Sequence, residues 1–387
     1  MMEYCFVAGN YPYKERQVHV FLENVVTRLV DRGETCNVIA PQSYYAYYIR
    51  KRDRRPVVDT RVTPGGNQYK VYSPLYFVYP KFKVGNLSMH NLSRKHFYQA
   101  VERVYRQNDL HADVIYSHFF QAGIAGVKLA TQLGLPSFIA NGEADTIDSL
   151  KLNNPNAVRE TLDHVTGIIS VSTKNKNEIK ELSHNDPAIM KKVRIIVNAV
   201  DIGRFYKKDR EQVRKEMGWS NDQFIVAFTG TFIERKGVKR LSHALDRFDD
   251  VYSIFMGVGE EQPTCKNILH CGRVENVKMN DYLNAADVFV LPTLAEGCSN
   301  AIVEAVAAGL PVISSDMEFN YDVLDDSCSI LIDPNDEEAI YQAILKLKTD
   351  PELKNKLASG AEKKAKELSL DVRVDKIQTF INEKMTE

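Results

Sequence analysis

The chain has 387 residues, of which 44% are apolar, so it is long enough for two or three domains that each bury a core. Its 50 Lys and Arg residues are balanced by 51 Asp and Glu residues, which excludes the strong positive charge typical of nucleic-acid-binding proteins. Residues 1–110 depart from this balance, with 17 basic against 9 acidic side chains, which indicates an anionic surface or substrate on that side.

Short β-rich runs alternate with helical patterns from the start of the chain, which is typical of parallel α/β sheets. The strands predicted in the first half are residues 4–8, 36–40, 114–117, 137–140 and 168–171. The predicted helices are residues 18–32, 92–107 and 122–133, and residues 42–95, rich in Tyr, Lys and Arg, are predicted to be irregular.

The same alternation resumes after residues 193–205, where we place a domain boundary. The sequence therefore predicts an α/β protein with two doubly wound, Rossmann-like domains, residues 1–197 and 198–369, that face each other across a cleft. A last helix, residues 370–387, is expected to pack back on the first domain. The later predicted strands are residues 224–229, 252–256, 268–271, 288–291 and 312–314, and residues 336–385 are predicted helical with a break at 350–351.

The six cysteines lack C-x-x-C spacing and histidines at zinc-binding spacing, so we predict free, mostly buried thiols in a reducing compartment and no metal site. The first residues lead into a strand-like run without the basic region of a signal peptide, and no apolar run reaches about 18 residues. These observations predict a cytoplasmic protein.

The strongest motif is the stretch AEGCSNAIVEAVAAGLPVISSD, residues 295–316. It reads as a loop that carries Glu296, a helix that carries Glu304, and a Gly-Pro stop before a strand. The start of such a helix is suited to a diphosphate, because its amides lack helical acceptors. The alternative is that both glutamates are solvated acids at a helix end. The helix-start residues proposed to face the ligand are Ser299, Asn300, Ala301 and Ile302.

This stretch resembles the Glu–seven residues–Glu motif of the large retaining family four of GT-B glycosyltransferases (glycosyl transferases group 1), of the polysaccharide-biosynthesis type. The resemblance implies a GT-B fold and a hexosyltransferase-type activity, with residues 198–369 binding a nucleotide-sugar donor and residues 1–197 on the acceptor side. It also implies that Glu304 binds the donor ribose and that Glu296, as a catalytic residue, contacts hydroxyls of the transferred sugar.

The stretch FTGTFIERKGVKRL, residues 228–241, resembles the family's Gly–Arg–…–Lys–Gly loop, whose cations hold the donor diphosphate. Lys236 matches the Lys, but Thr231 follows Gly230 where the family has Arg, so Arg235 is expected to supply the second charge. The order of Lys236 and the next glycine excludes a Walker A loop. The alternative is a solvated basic turn.

Two further stretches, FMGVGEEQ and HCGRVEN, resemble the family's Gly-x-Gly turn and base-binding segment. They place Gly257 in the donor site and the nucleobase near Arg273 and Val274. The missing third glycine disfavours NAD binding and an oxidoreductase. The stretch VNAVDIGRF resembles the family's interdomain segment, with Val197 and Ala199 in place of its Pro and Gly.

Residues 116–145 resemble the acceptor-side region of the family. His118 matches the first histidine, whereas Asn141 replaces the second, to which a role at the reacting sugar is often ascribed. We expect His118 and Asn141 at the catalytic centre; alternatively His118 is an ordinary helix-start residue. The acceptor-side candidates are Glu143, Asp145 and Arg16.

The resemblance implies retaining transfer by front-face attack, in which the leaving diphosphate accepts the acceptor's proton. It implies no metal and no cofactor, since the nucleotide-sugar is a substrate; UDP is the expected nucleotide and GDP stays open. The expected acceptor is a glycan or a lipid-linked molecule in polysaccharide or glycoconjugate biosynthesis. The alternatives are a nucleotide-sugar-binding protein without transferase activity and a sugar-nucleotide epimerase.

Aromatic and basic residues cluster in residues 44–55 and 76–83. This composition suits the surface of an anionic membrane. We therefore hypothesise peripheral docking of the N-terminal domain on the inner membrane face, where it would meet a lipid-linked acceptor. The alternative is a solvated loop with some core tyrosines.

Overall fold

The computed structural model describes residues 1–13, 18–50, 54–80, 83–84, 87–150 and 153–387. The chain divides into two compact units, the first formed by Met1–Ile196 with Val374–Glu387 and the second by Val197–Arg373. Both are α/β units with parallel sheets, which confirms the predicted fold class.

Parallel strands dominate the first unit. Its strands are β1 (Glu3–Ala8), β2 (Thr35–Ile39), β3 (Gln42–Ser43), β4 (Val58–Val62), β5 (Gln68–Tyr72), β6 (Leu75–Tyr76), β7 (Lys83–Val84), β8 (Leu87–Ser88), β9 (Val114–His118), β10 (Ser137–Asn141), β11 (Gly167–Ser170) and β12 (Val193–Ile195). Eight of them form one sheet in the order β12-β11-β10-β9-β1-β2-β5-β4. Since β1 has β2 on one side and β9 on the other, the topological switch point lies between β1 and β9.

Helices connect these strands and are closed by local signals. The side chain of Asn154 accepts the Asn156 amide at 3.0 Å where α5 begins at Pro155, and Gly134 ends α3 with a left-handed φ of 67°. The helices are α1 (Val20–Asp31), α2 (Met89–Gln107), α3 (Phe120–Leu133), α4 (Thr146–Leu150), α5 (Pro155–His164), α6 (Thr173–Leu182) and α7 (Pro187–Met190).

The prediction that residues 42–95 are irregular was wrong. They hold a π-helix at Tyr45–Arg50 and the antiparallel hairpin of β4 and β5, which extends the sheet. Every residue of β4 keeps some exposure to solvent, so this edge strand lacks the apolar alternation by which strands are recognised. Asp31 stabilises the turn by accepting from the amide of Gly65 at 3.3 Å and from the side chain of Asn67 at 3.1 Å.

The second unit is a fully parallel doubly wound sheet with the order β15-β14-β13-β16-β17-β18, and its switch point lies between β13 and β16. Its strands are β13 (Phe224–Thr229), β14 (Val251–Met256), β15 (Ile268–Gly272), β16 (Val288–Leu291), β17 (Val312–Ser315) and β18 (Ser329–Ile332). Its helices are α8 (Arg210–Met217), α9 (Val238–Leu245), α10 (Met279–Asn284), α11 (Asn300–Ala307), α12 (Glu337–Thr349) and α13 (Pro351–Glu367), with a 3₁₀ turn at Glu234–Lys236.

The last helix, α14, spans Leu370–Thr386, close to the predicted residues 370–387, and a break separates it from α13. At this break the amide of Leu370 donates to the carbonyl of Val200 at 2.9 Å. In the first unit, the rings of Phe380 and Phe138 meet at 5.8 Å and Arg194 pairs with Glu383 at 2.6 Å. These contacts hold the end of α14 against the sheet of the first unit.

The six cysteines are free, and all but Cys271 are buried, as predicted. Burial raises the pKa of the Cys298 thiol to about 11. Among the helices of the described residues, none combines the length and apolar character needed to cross a bilayer.

Candidate functional site

The candidate site of the second unit lies where β13 and β16 end, at the switch point of the sheet. The loop after β13 carries Arg235 and Lys236, and the loop after β16 carries Glu296. The two loops are joined directly, because the amide of Leu294 donates to the carbonyl of Arg235 at 2.8 Å. A doubly wound sheet binds its ligands at this position.

An ion cluster joins these loops. Lys236 Nζ pairs with Glu296 Oε1, which also accepts from the Thr293 hydroxyl at 2.9 Å and from Arg235 at 3.3 Å. Glu296 is only 8% exposed. Its other oxygen, Oε2, accepts no hydrogen bond within the described residues, so it is open to a ligand hydroxyl. Arg235 also donates to the carbonyl of Ala295.

Glycines allow close backbone approach beside this cluster. A Cβ at Gly257 would lie 1.8 Å from the carbonyl oxygen of Gly230, and one at Gly259 would lie 2.2 Å from that of Phe232. The amide of Phe232 donates to the carbonyl of Val258 at 3.0 Å, which continues the pairing of the two loops beyond the strands. Larger side chains at these glycines would force the loops apart.

The start of α11 has open amides. Ser299 is the N-cap, 6% exposed, but its side chain caps no amide. The first turn, including Asn300 and Ala301, therefore presents N–H groups without helical acceptors. Asn198 fixes this turn by donating to the carbonyl of Cys298 and to the side-chain oxygen of Asn300, each at 3.0 Å.

Glu304 lies one turn into α11 and is half-buried. Burial raises the pKa of its carboxyl group to about 7, although the nearby Arg204 guanidinium partly lowers it. Arg204 in turn donates to the carbonyl of Asn276 at 2.8 Å. That carbonyl belongs to the loop after β15, which also holds exposed Arg273 and half-buried Val274. The structure thus places Arg204 near both the predicted ribose ligand and the predicted base-binding loop.

Thr231 lies exposed in the loop after β13, next to Gly230 with its φ of 157°. Position 231 therefore lacks the guanidinium that the family pattern has there. Arg235 lies four residues later and shares the Glu296 carboxylate with Lys236. Arg235 and Lys236 therefore both contact the Glu296 carboxylate, which lies in the loop before α11.

In the first unit, His118 and Phe119 lie at the switch point between β1 and β9. His118 is 6% exposed, and its ring meets those of His19 at 5.2 Å and Phe21 at 4.9 Å. Phe119 has φ 67° and ψ 152°, a strained backbone conformation for a residue with a side chain. Such strain is often found at functional sites.

Glu143 supports this strained turn. Its carboxylate accepts the amides of Phe120 at 2.7 Å and Gly142 at 3.1 Å, and so caps the start of α3. Burial raises the pKa of Glu143 to about 7, against the lowering effect of these backbone amides.

Asn141 is fully buried and hydrogen-bonded inside the first unit. Its Oδ1 accepts from the Thr146 hydroxyl at 2.9 Å, and its Nδ2 donates to the carbonyl of Asn175 at 3.4 Å. The sugar contact predicted for Asn141 stays a prediction. Asp145 is exposed and accepts the Asp148 amide at 2.7 Å at the start of α4. Arg16 lies outside the described residues.

Three site residues were missed by reasoning from the sequence: Thr293, Arg204 and Asn198. Arg204 and Asn198 lie in the stretch VNAVDIGRF, which was quoted for its resemblance but assigned no contacts. No pattern signals Thr293, because its contact with Glu296 follows from the turn of the loop after β16.

Residues 223–350 match the sequence model of the family described as "Glycosyl transferases group 1". The "Putative teichuronic acid biosynthesis glycosyltransferase TuaC" of Bacillus subtilis (strain 168) is 26% identical over 359 residues, which cover 89% of this chain and 88% of that protein. The Escherichia coli "UDP-Gal:alpha-D-GlcNAc-diphosphoundecaprenol alpha-1,3-galactosyltransferase" is 26% identical over 293 residues, 69% of this chain and 74% of that protein.

Two solved structures are similar along the chain. Sucrose-phosphate synthase from Thermosynechococcus elongatus matches with a TM-score of 0.77 and 14% identity, and the match covers 100% of both chains. Anabaena Alr3699/HepE in complex with UDP matches with a TM-score of 0.73 and 14% identity, over 99% of this chain and 100% of that one. At this identity the likeness shows the fold alone, and that fold is GT-B.

Proposed function

We propose that the chain transfers a sugar from a UDP-sugar to a hydroxyl of a glycan or lipid-linked acceptor, with retention of anomeric configuration, because residues 223–350 match the group 1 glycosyltransferase model. The observation that carries the proposal is the cluster of Lys236, Arg235 and Glu296 at the switch point of the second unit, beside the start of α11. It combines cations and helix amides for a diphosphate with a carboxylate for a sugar hydroxyl.

The donor diphosphate is proposed to lie between Lys236, Arg235 and the first turn of α11. In the ligand-free chain Glu296 balances one of the two cations, so a bound diphosphate would meet net positive charge and open amides. As the sugar leaves, the diphosphate gains negative charge, and cations already in place stabilise that transition state. Arg235 serves here in place of the arginine that Thr231 replaces.

Glu304 is proposed to accept hydrogen bonds from both ribose hydroxyls, a task that suits a carboxylate. Arg204 supports this arrangement because it lies beside Glu304 and binds the loop proposed to hold the nucleobase. Glu296 Oε2 is proposed to accept a hydroxyl of the transferred sugar, since Oε1 is engaged by Lys236, Arg235 and Thr293.

In the proposed reaction the acceptor oxygen bonds to the anomeric carbon on the face from which the diphosphate departs. The bond between that carbon and the diphosphate oxygen breaks, and the diphosphate oxygen takes the acceptor proton. The protein supplies position and charge, so no dedicated base, metal or cofactor is proposed. On the first unit, His118 and Glu143 are proposed acceptor-side groups, since they lie at the switch point of that sheet.

The choice of UDP is supported by two similar proteins. The Escherichia coli relative is named for UDP-Gal, and the Anabaena structure is described in complex with UDP. A lipid-linked acceptor is supported by the diphosphoundecaprenol in the name of that relative. A role in polysaccharide biosynthesis is supported by the teichuronic acid relative. We propose a cytoplasmic location, where nucleotide-sugars are made.

A thermal-shift panel of UDP, GDP, ADP and their common sugars, without added metal, tests the donor. A nucleotide at about a hundred times its Kd adds roughly 2.7 kcal/mol of stability, an easily measured shift. We expect uridine compounds to stabilise the protein and UDP to be released when a suitable acceptor is added. Absence of stabilisation by every nucleotide would argue against the proposed donor site.

Donor affinity is expected to rise about tenfold between pH 6 and pH 8. A carboxyl group with a pKa of about 7 changes over that range from about one-tenth to about nine-tenths ionised, and the ribose requires the ionised form. Calorimetry with a UDP-sugar measures this, because its diphosphate has no ionisation near neutral pH. The variant Glu304→Gln should bind more weakly and without pH dependence.

The control Glu362→Gln neutralises a half-exposed glutamate of the same unit, paired with Lys207, and should keep the wild-type profile. The raised pKa of Glu304 also determines how its contribution to stability depends on pH. That contribution is fully present below about pH 4.5 and is lost as pH rises through 7. The ligand-free Glu304→Gln variant should therefore be at least as stable as wild type at pH 8. A pH profile unchanged by Glu304→Gln would contradict the ribose assignment.

We further propose that the first unit docks on an anionic membrane through an exposed aromatic patch, defined as Tyr45, Tyr48, Ile49, Phe77 and Val78. These side chains are between 46% and 66% exposed. Stacking of Tyr44 on Phe77, with ring centroids 4.5 Å apart, ties the two segments into one surface.

Arg54 supplies exposed positive charge next to the aromatic patch, with its guanidinium 5.3 Å from the Tyr47 ring. Arg55, predicted to take part, is buried and donates to the Pro41 carbonyl at 3.2 Å, so it faces the interior. Of the remaining basic residues in the two segments, Lys51, Arg52 and Lys81 lie outside the described residues.

Co-sedimentation with phosphatidylcholine vesicles that contain one-third phosphatidylglycerol tests this docking. We expect binding at low salt and a loss of about tenfold or more in the double variant Ile49→Ser and Phe77→Ser, since each buried side chain contributes about 1.5–3 kcal/mol. The control Val62→Ser changes a 62% exposed residue outside the aromatic patch. Equal binding of all variants, or no binding to anionic vesicles, would refute the docking.

A further inference from the structure

A groove of about 320 Å³ lies on the first unit, away from the switch point of its sheet. It runs along α3, between α2 and α5. Its lining is partly apolar, and its charged residues are mostly basic. The residues that matter are Arg94 and Lys95 on α2, Ile124, Val127 and Lys128 on α3, and Glu160 on α5.

Arg94 is the unusual residue of this groove. Its Nε and Nη2 atoms are buried, and neither has a hydrogen-bond partner within the described part of the chain. The guanidinium lies 5.3 Å from the centre of the Phe97 ring, a contact that offers no acceptor. Buried N–H groups of a guanidinium without acceptors are costly, because water has been removed from them and no protein acceptor replaces it.

Arg94 nevertheless remains charged at neutral pH. Burial lowers the pKa of its guanidinium only to about 10, and the neighbouring Tyr76 opposes that lowering. The chain therefore maintains a buried positive charge on the wall of an open groove, with donors that a ligand could satisfy.

The rest of the lining adds positive charge. Lys95 and Lys128 are exposed at the rim. Lys128 Nζ lies 4.5 Å from the centre of the Tyr98 ring, a contact that involves no carboxylate. Glu160 is the single acid among the lining residues. Apart from His164, the lining has three cations against one carboxylate, a net charge of +2.

We propose that this groove binds a phosphate ester, with the phosphate on Arg94, Lys95 and Lys128 and an apolar stem on Ile124 and Val127. A planar guanidinium donates two parallel hydrogen bonds to phosphate oxygens, and the two lysines act as additional point charges. A net charge of +2 matches a dianionic phosphate better than a single carboxylate. The volume is sufficient for such a group with a short stem.

This phosphate site is independent of the donor site, because every residue that forms it belongs to the first unit, whereas the donor cluster belongs to the second. The same chemistry could come from a water-soluble phosphate or from the headgroup of a lipid. Two probes separate these sources: inorganic phosphate, and dihexanoyl phosphatidic acid below its micelle concentration.

Calorimetry on the full chain, with each probe and at matched ionic strength, tests the proposal. The variant Arg94→Met should lose about tenfold or more in affinity, because it removes charge-assisted hydrogen bonds. Its ligand-free stability should equal or exceed that of wild type, since an apolar side chain replaces an unpaired charge. Lys128→Met, at the exposed rim, should lose affinity severalfold without affecting folding.

The matched control is Arg103→Met, which removes the same charge from the same helix outside the groove, where Arg103 donates to the Leu75 carbonyl at 3.2 Å. It should bind both probes like wild type. A loss in Arg94→Met for inorganic phosphate supports a site for soluble phosphates, and a loss confined to the lipid supports a headgroup site. Equal affinity of wild type and Arg94→Met for both probes would overturn the proposal.

Discussion

Replacing Lys236 with methionine is expected to lower kcat/KM for sugar transfer by about 10²- to 10³-fold, the usual effect of removing one group that stabilises a developing anion. Lys236 lies at the switch point beside the start of α11 and is paired with Glu296 in the ligand-free chain. Methionine keeps most of the length of the side chain and removes its charge and its hydrogen-bond donors. The measurement is initial-rate kinetics with a UDP-sugar and an acceptor.

The control is Lys239→Met, three residues later on α9. Lys239 is exposed, and its nearest carboxylate, that of Glu261, is 3.9 Å away, so its loss should change kcat/KM less than twofold, roughly the effect of a surface charge. A further variant, Arg235→Met, should show a smaller loss than Lys236→Met, because Arg235 is the more exposed of the two cations. If Lys236→Met and Lys239→Met had the same kinetics, the diphosphate assignment would be wrong.

The variant Asp287→Asn is expected to destabilise the second unit by about 3–5 kcal/mol, the typical effect of removing one partner from a buried ion pair. Asp287 is 4% exposed and precedes β16. Its carboxylate pairs with Arg210, Arg214 and Lys354, each at 2.8 Å. It also accepts the amide of Ile225 at 2.9 Å, so it joins the starts of two central strands.

Arg214 is the partner most dependent on this carboxylate, because its side chain is only 2% exposed. It also donates to the carbonyls of Ala285 at 2.8 Å, Asn221 at 3.1 Å and Gln223 at 2.9 Å. With Asp287 neutralised, three cations would remain around an uncharged group. Urea denaturation of wild type and variant measures the difference in the free energy of unfolding.

The contribution of Asp287 to the stability of the second unit is expected to change with pH in a defined direction. Burial by itself would raise the pKa of Asp287, but Arg210, Lys354 and Arg214 more than offset this and hold it below its usual value. Its contribution is therefore present above about pH 3.8 and lost as pH falls through the lowered pKa.

The control for Asp287→Asn is Asp281→Asn, which removes the half-exposed partner of Lys208 and should cost no more than about 1 kcal/mol. Similar costs for the two variants would show that the Asp287 cluster is not the main electrostatic support of this unit.

The sequence by itself determined five of the six strands of the second unit and the residue types of the donor site, but it did not predict β18 (Ser329–Ile332). The predicted strands 224–229 and 288–291 agree with β13 and β16 residue for residue, because strands buried on both faces are continuous apolar runs bounded by turn residues. The spacing of Glu296 and Glu304 and the Lys-Gly pair at 236–237 were equally readable, since they depend only on local order along the chain. Edge strand β4, exposed along its length, left no such pattern and was missed.

Only the tertiary structure decided which of these residues meet. Lys236 reaches Glu296 across 60 residues, and Arg204 reaches the loop at Asn276 across 72, because a parallel sheet gathers the carboxyl ends of strands that are distant in sequence. The raised pKa of Glu304 and the enclosure of Asn141 follow from burial, which no local pattern encodes. The unpaired Nε and Nη2 atoms of Arg94 likewise arise because three helices, separate in sequence, leave a groove between them.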